Sequence, residues 1–424
     1  MPTAEVNRTI DAVWRIESAR LIAGLARLVR DVGLAEDLAQ EALVAALEQW
    51  PESGVPDNPG AWLMATGRHR AIDRLRRAEV HERKTRELGR EVEIRGEIDH
   101  PDLEAEIDDP FDDDLLRLVY TTCHPVLSTD ARVALTLRLL GGLTTKEIAS
   151  AYLVSESTVA QRIVRAKRTL SAARVPFDVP AHEELADRLA SVLEVIYLIF
   201  NEGYAATAGD DWIRPELIDE ALRLGRILAE LLPSEPEVHG LVALMELHAS
   251  RSRARTGPSG EPILLLDQDR SRWDWMLVGR GLAALERAYG TGGAVGPYTL
   301  QAAISACHAR ARVADDTDWD SIVALYDALA QVTPSPVVEL NRAVAIGMAF
   351  GPEAALELVD GLASEPALRD FHLLPTVRGD LLAKVGRGEE AAVEFQRAAS
   401  LTQNSRERAV LLERMAGCSP RNGA

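Results

Sequence analysis

Residues 143–170, LTTKEIASAYLVSESTVAQRIVRAKRTL, can fold in few ways. Thr144 stands three residues before Glu147, the spacing of a capping box, in which hydroxyl and carboxylate each satisfy an orphan amide of a helix start. Leu143 and Ile148 flank that cap at the spacing of a hydrophobic staple. The pattern then repeats, with Ser155 placed to cap a second helix and Val154 and Val159 as its staple. Ile148, Ala149, Tyr152, Val159, Ile163 and Ala166 recur at helical spacing and give each helix an apolar face. Gln161, Arg162, Arg165, Lys167 and Arg168 cover much of the rest of the second helix. A small first helix, a short turn and a basic second helix describe a helix-turn-helix, whose second helix fits a DNA major groove. An ordinary helical hairpin with a solvated basic face has the same pattern, so the flanking sequence has to decide.

The chain has 424 residues, enough for two to four domains. Its apolar fraction of 47% is that of a folded protein. The first fifteen residues, MPTAEVNRTIDAVWR, lack an apolar h-region, so no signal peptide is expected. The longest apolar run, 195–200, is too short to cross a bilayer. Cys123, Cys307 and Cys418 have no paired spacing, which fits a reducing cytoplasm and argues against a disulfide framework or a zinc site. Cys123–His124 and Cys307–His308 are neighbours, but two adjacent residues do not make a tetrahedral site, and no metal is expected. The net charge of −19 argues at first against nucleic acid. Its distribution reverses that argument, because fourteen of the nineteen excess negative charges lie beyond Phe177. The N-terminal part is nearly balanced and its basic residues are clustered, as phosphate binding requires.

Residues 8–30 read as an amphipathic helix through Ile10, Val13, Trp14, Leu21, Leu25 and Leu28. Asp31 to Gly33 breaks it, and a second helix over 35–50 buries Leu38, Ala42, Ala45 and Ala46. Asp37, Gln40, Glu41, Val44 and Glu48 fall together on its other side, either as solvated surface or as a docking face for a basic partner. Residues 51–59, PESGVPDNP, form a loop rich in turn residues. Asn58 and Pro59 then cap and open a helix over 60–79, with Trp62, Leu63, Thr66, Ile72 and Leu75 on its packed side. Arg68, His69, Arg70, Arg74, Arg76 and Arg77 crowd the remainder. Cations that track phosphate beside an aromatic that stacks on a base suit a nucleic-acid strand, although Trp62 at a helix start serves a core equally well.

The phrases AEDLAQEALVAALEQW and WLMATGRHRAIDRLRR resemble region 2 of the extracytoplasmic-function sigma factors of bacterial RNA polymerase. The resemblance implies that Asp37, Gln40 and Glu41, with Val44 on the same face, bind the polymerase core. It implies that the loop and the helix bearing Trp62, Leu63, Arg68, His69, Arg70, Asp73, Arg74, Arg76 and Arg77 melt and read the −10 element. His69 stands where that family most often has Asn, which puts a carry-over of a base contact there in doubt. Residues 80–113 lose their basic character near Arg95 and become acidic and turn-rich, the composition of a flexible linker. Such a linker is a plain tether on composition; the resemblance adds a course along the RNA path. Residues 114–176 resemble sigma region 4, at Thr144, Glu147, Ile148, Ala149, Ser155, Thr158, Val159, Arg162, Arg165 and Ala166. That implies −35 contacts by Ser155, Glu156, Ser157, Thr158, Gln161, Arg162, Arg165 and Arg168. The turn residue that is usually Gly is Leu153, which implies a remodelled turn.

Pro176 to Pro180, PFDVP, marks a boundary where most such sigma factors end, and here the chain continues to Ala424. Helices are expected over 182–200, 216–232, 241–255 and 276–289, with a break at 290–296. From about residue 298 helix pairs follow at a spacing near that of tetratricopeptide repeats, clearest at 375–399 through Gly379, Leu382, Gly386, Ala391, Phe395 and Ala398. Weaker copies span 337–362 and 298–329. The phrases FNEGYAAT (200–207) and LLDQDRSRWD (265–274) read as inter-helix salt bridges and packing ahead of a functional surface at Arg270, Arg272 and Trp273. Both resemble phrases of a sigma subgroup that carries a C-terminal tetratricopeptide-like extension.

The expected architecture is all-α: a region 2 helical bundle over 1–79, an acidic flexible linker over 80–113, a region 4 helix-turn-helix over 114–176, and a C-terminal helical extension over 177–424 that is a tetratricopeptide-like helical-repeat domain from about 298. The expected function is promoter-specific transcription initiation with bacterial RNA polymerase core, in the cytoplasm, with no cofactor, no metal and no membrane partner. The extension would regulate activity and offer a surface for a protein partner. No glycine-rich phosphate loop, HExxH or triad spacing is present, so an enzyme is not expected. The alternative is a helix-turn-helix regulator with a repeat-type sensor domain that binds operators and never joins the polymerase.

Overall fold

The computed structural model describes residues 3–88, 111–152, 154–206, 208–209, 212–258 and 261–418. The chain divides into two compact units, Met1–Val195 and Ile196–Ala424. Helices make up both, and the described strands are a single two-residue pair, so the all-α expectation holds.

The first unit opens with α1 (Thr3–Val29), α2 (Val32–Ser53) and α3 (Pro59–Leu88). Arg30 takes a left-handed φ of 51°, which lets the chain reverse at once, and Asp31 caps α2 by accepting the Leu34 N–H at 2.8 Å. The core of this bundle is Ile10, Leu21, Ile22 and Leu25 from α1, Leu38, Ala42, Ala45 and Trp50 from α2, and Leu63 and Ala71 from α3. Small residues bring α1 and α3 close: a Cβ at Gly67 would sit 3.0 Å from Leu25 Cδ1. Several element ends differ from expectation: α1 starts at Thr3 rather than residue 8, and α2 at Val32 rather than residue 35, which leaves Asp31 to cap it. α2 runs three residues past Trp50 with Pro51 in its last turn, because a proline so near a helix end disrupts little of the remaining ladder. α3 continues well beyond Glu79. Most of the acidic stretch assigned to the linker, residues 89–110, lies outside the described residues.

The unit continues with α4 (Phe111–Thr122), α5 (Thr129–Leu139), α6 (Thr145–Ala151) and α7 (Glu156–Ala172). Ser128 sits at the N-cap of α5, but its hydroxyl makes no cap bond. Gly142, with φ 67°, completes the turn out of α5. α8 (His182–Tyr204) begins in this unit and is bonded to α4 and the turn after it. Arg188 donates to Tyr120 O at 2.8 Å, Ser191 Oγ donates to Cys123 O at 2.6 Å, and Arg132 pairs with Glu194 at 3.0 Å.

The second unit contains the end of α8, then α9 (Pro215–Leu231), α10 (Pro236–Ala249), α11 (Trp275–Gly290), α12 (Pro297–Arg310), α13 (Trp319–Val332), α14 (Pro336–Phe350), α15 (Pro352–Leu362), α16 (Leu373–Lys384), α17 (Gly388–Leu401) and α18 (Ser405–Gly417). α10 starts five residues before the expected position and ends six before it. It is buried on all sides, with α9, α11 and α12 packed around it, so it lacks the one-sided pattern that marks a surface helix. From α12 onward each helix packs on the next. Small residues set the pairing: a Cβ at Gly379 would lie 2.9 Å from the Phe395 ring, and one at Gly347 would lie 2.9 Å from Ala355 Cβ. The strand pair joins Ala208–Gly209 to Gln403–Asn404 in parallel, and Asn404 Nδ2 donates to Ala206 O at 3.1 Å.

Candidate nucleic-acid interface

The helix-turn-helix forms as its caps dictate. Thr144 and Glu147 exchange both capping-box bonds: Thr144 N–H to Glu147 Oε2 at 2.7 Å, and Glu147 N–H to Thr144 Oγ1 at 3.1 Å. Burial pushes the Glu147 carboxyl up, but the Thr144 bonds and the Arg15 and Arg138 charges outweigh it, so its pKa falls below the ordinary value. Ser155 Oγ accepts the Thr158 N–H at 3.1 Å and caps α7. Ile148 and Ala149 of α6 and Val159, Ile163, Ala166 and Leu170 of α7 are buried. That packing turns Ser155, Glu156, Ser157, Gln161, Arg165 and Arg168 outward, and all six are exposed. Thr158 is half-buried, with its hydroxyl 2.7 Å from Ser155 Oγ. Arg162 is half-buried and pairs with Asp130 at 2.8 Å. Leu153, the departure at the turn, lies outside the described residues.

On α2, Asp37 and Val44 are exposed while Gln40 and Glu41 are half-buried. Gln40 Nε2 donates to Glu36 Oε1 at 2.7 Å, so this glutamine is partly committed inside the protein. Leu47 and Glu48 extend the exposed side beyond Val44. On α3, Asn58 Oδ1 accepts the Ala61 N–H at 3.0 Å, as its capping role requires. Trp62 is half-buried, its ring edge-on to the buried Trp50 at 5.3 Å and 69°, so here it packs rather than standing free. Thr66, Ile72 and Leu75 are half-buried; Gly67 and Ala71 are the buried positions that periodicity of large residues overlooks. His69, Arg74, Arg76 and Arg77 are exposed, and Arg68 and Arg70 half-buried. His69 lies 3.9 Å from Asp73.

Two groupings bring separate predictions together. Glu41 receives Arg70 at 3.2 Å and Arg74 at 3.3 Å, joining the acidic side of α2 to the basic side of α3 by surface ion pairs that exchange easily. Glu36, overlooked as one more acid near that side, is buried and accepts Arg138 Nε–H at 2.7 Å, with Lys167 of α7 at its other oxygen. Lys167 therefore faces inward, away from the outward cations of α7. Asp114 is likewise buried between Arg117 at 2.7 Å and Arg27 at 3.6 Å. A carboxylate amid the alanines and leucines of a buried helix face was the available signal for Glu36.

Among the described residues no helix is long and apolar enough to cross a membrane.

Residues 16–80 match the family Sigma-70 region 2, and residues 117–170 match Sigma-70, region 4. Residues 188–289 match a family of unknown function, DUF6596. The chain is 43% identical over 396 residues to "Uncharacterized protein R00370" of Rhizobium meliloti, covering 92% of this chain and 91% of that one. It is 31% identical over 175 residues to the "Probable RNA polymerase sigma-C factor" of Mycobacterium bovis, covering 41% of this chain and 84% of that protein. It is 27% identical over 184 residues to the "Probable ECF RNA polymerase sigma factor SigI" of Mycobacterium tuberculosis, covering 42% of this chain and 60% of that protein. A region 2 match decides between the two readings of the helix-turn-helix, because a plain operator-binding regulator has no such region. The chain belongs to the extracytoplasmic-function sigma factors, which act in promoter-specific transcription initiation.

Proposed function

We propose that the sigma function is divided among three surfaces and a regulator. Asp37, Gln40, Glu41 and Val44 dock the polymerase core, with Asp37 and Val44 as the outer contacts. Trp62, Arg68, His69, Arg70, Arg74, Arg76 and Arg77 hold the −10 strand. The exposed cations track its phosphates, and Trp62 has to leave Trp50 if it is to stack on a base. Ser155, Glu156, Ser157, Thr158, Gln161, Arg162, Arg165 and Arg168 face the −35 duplex, with the α7 N-terminus toward base edges. The observation that carries this reading is the outward face of α7, on which Arg165 and Arg168 project from a helix capped at Ser155.

In the same reading the second unit is a tetratricopeptide-like extension, and the chain falls in the sigma subgroup that carries one. The extension regulates activity and presents its helix pairs to a protein partner. The protein acts in the cytoplasm and does no chemistry of its own. Run-off transcription with bacterial core polymerase, comparing the full chain with one ended at Val195, tests the assignment. Specific initiation that changes in either direction on truncation supports a regulatory extension; equal initiation by both forms removes that role.

A further inference from the structure

Between α10 and α11 the described residues 250–258 and 261–274 form no α-helix, only three single 3₁₀ turns, and fold back on one another. Ile263 N–H donates to Arg255 O at 2.8 Å, and Asp274 N–H donates to Ser250 O at 2.8 Å. This excursion carries Arg251, Arg255 and Arg270 into the interior, where they are 8%, 7% and 7% exposed. Arg255 stacks on Tyr204 with Cζ 3.5 Å from the ring centroid and donates to Tyr204 O. Arg270 donates to His308 O and Ala311 O, both at 2.5 Å, and reaches Thr317 Oγ1 at 3.4 Å. These two arginines therefore also close the C-terminal ends of α8 and α12. Arg251 has no such task. It makes no side-chain hydrogen bond among the described residues and lies over the Tyr204 and Trp273 rings, 5.8 and 6.0 Å from their centroids.

None of the three guanidiniums has a carboxylate within ion-pair distance among the described residues, although the chain beyond Phe177 carries an excess of fourteen acids. Glu202, two residues before Tyr204, pairs with Arg214 instead, and the buried Glu246, five residues before Arg251, pairs with Arg226 and Arg280. Arg251 Nε, Arg270 Nε, Trp273 Nε1 and His308 Nδ1 are all fully buried, and none has a hydrogen-bond partner among the described residues. The two histidines do not relieve the charge. Burial first, then Arg251 and Arg270, hold His308 down to about 4; burial, then Arg251, Arg255 and His308, hold His248 well below its ordinary range. A buried cation normally has a partner, because removing it from water unpaired is strongly unfavourable. Asp316 acts on Arg270 only from beyond ion-pair distance, so this cluster of cations and idle N–H donors is short of one ligand.

We propose that Arg251, with Arg255 and Arg270 beside it and the Trp273 indole N–H, binds a small oxyanion from solution, either a carboxylate or a phosphate. A guanidinium fork matches both groups, and among the described residues no hydrogen bond occupies the Arg251 donors. The tyrosine and tryptophan rings beside Arg251 favour a small or flat ligand. This assignment is independent of the promoter surfaces, and its readout is binding rather than transcription.

The test uses the full chain, with calorimetric titration and thermal unfolding in inorganic phosphate, citrate or acetate at constant ionic strength against chloride. One class of ion, phosphate or carboxylate, should release or absorb heat and raise the unfolding midpoint by roughly 5–10 °C at a hundredfold excess over its Kd. Which class does so identifies the ligand chemistry. Phosphate stabilises many proteins nonspecifically, so Arg251→Met is the control and should lose the heat and the shift. In chloride alone that variant should unfold at or above the wild-type midpoint, since it removes an unpaired buried charge. Arg251→Lys should keep the fold and bind at least tenfold more weakly, having lost the planar fork. Absence of binding by all three ions up to about 10 mM overturns the proposal, as does a shift that survives Arg251→Met.

Discussion

Glu36 and Arg138 meet at 2.7 Å across 102 residues of sequence, with the carboxylate 3% exposed and Lys167 at its second oxygen. Gln40 adds a third donor at 2.7 Å. This acid ties α2 to α5 and α7 within the first unit. A buried anion held by three donors is poor evidence of net stability, but removing it alone strands two cations. Glu36→Ala should therefore cost about 2–4 kcal/mol in urea denaturation, toward the lower end because Arg138 and Lys167 remain partly solvated. Pairing Glu36→Leu with Arg138→Met should recover more than half of that loss, a coupling that distant, independent sites do not show. Additive losses in the double variant would remove the ion pair as the tie.

The capping box predicts a pH signature. Thr144→Ala should destabilise the helix-turn-helix by about 1 kcal/mol at neutral pH. The Glu147 pKa is lower in the folded chain than its ordinary value of 4.5. Its contribution is therefore complete above that value and is lost as the pH falls through the folded pKa. Denaturation followed from pH 7 to pH 3 should show the wild-type advantage over Thr144→Ala shrinking across this interval. An advantage that stays constant with pH would place the effect of Thr144 outside its bond with the carboxylate.

What was legible in the sequence was local. Thr144 with Glu147, Ser155 with Thr158, and Asn58 with Ala61 are partners three residues apart, and spacing alone locates them. Gly379 against Phe395 was legible as a small residue facing a large one across a helix pair. Glu36 was legible only as a carboxylate on an apolar helix face; its partners come from distant helices, so nothing beside it signals the ion pairing. α10 was displaced because a helix buried on every side has no periodicity, although Pro236 at its first position marked the true start. The 265–274 phrase was read as salt bridges and packing. The packing is there in Trp273 and Arg270, but Arg270 spends its donors on the carbonyl ends of a helix some forty residues later. No local pattern announces a guanidinium whose acceptors are backbone.

His308 predicts a second pH dependence, of the same sign and in a higher window. Its folded pKa of about 4 lies below its ordinary 6.5 because burial, Arg251 and Arg270 oppose a further positive charge. Between those values the unfolded chain binds the proton and the folded chain does not, so stability falls as the pH falls from 6.5 to 4. The full shift corresponds to a loss on the order of 3 kcal/mol. Trp319, edge-on at 5.2 Å, brings no charge that would alter this sign. His308→Gln should flatten the profile between pH 6.5 and 4 in thermal unfolding. Retention of the full wild-type slope would assign it to other groups, His248 first among them.

The exposed residues of α2 and α7 predict separable defects. Asp37 and Val44 stand free on α2, whereas Gln40 is bonded to Glu36, so the clean substitutions on this face are Asp37→Ala and Val44→Ala. They should weaken binding to core polymerase while leaving thermal unfolding unchanged. On α7, Arg165 and Arg168 are exposed, whereas Lys167 is held by Glu36. Arg165→Ala and Arg168→Ala should each reduce the slope of log affinity against log salt by about 1 for −35 duplex DNA in the holoenzyme, the change expected when one phosphate contact is lost. Lys167→Ala should leave that slope unaltered and lower stability instead, because its charge is spent inside the protein. A salt slope that falls equally for all three would mean that Lys167 reaches DNA, and that the Glu36 contact opens when the polymerase binds.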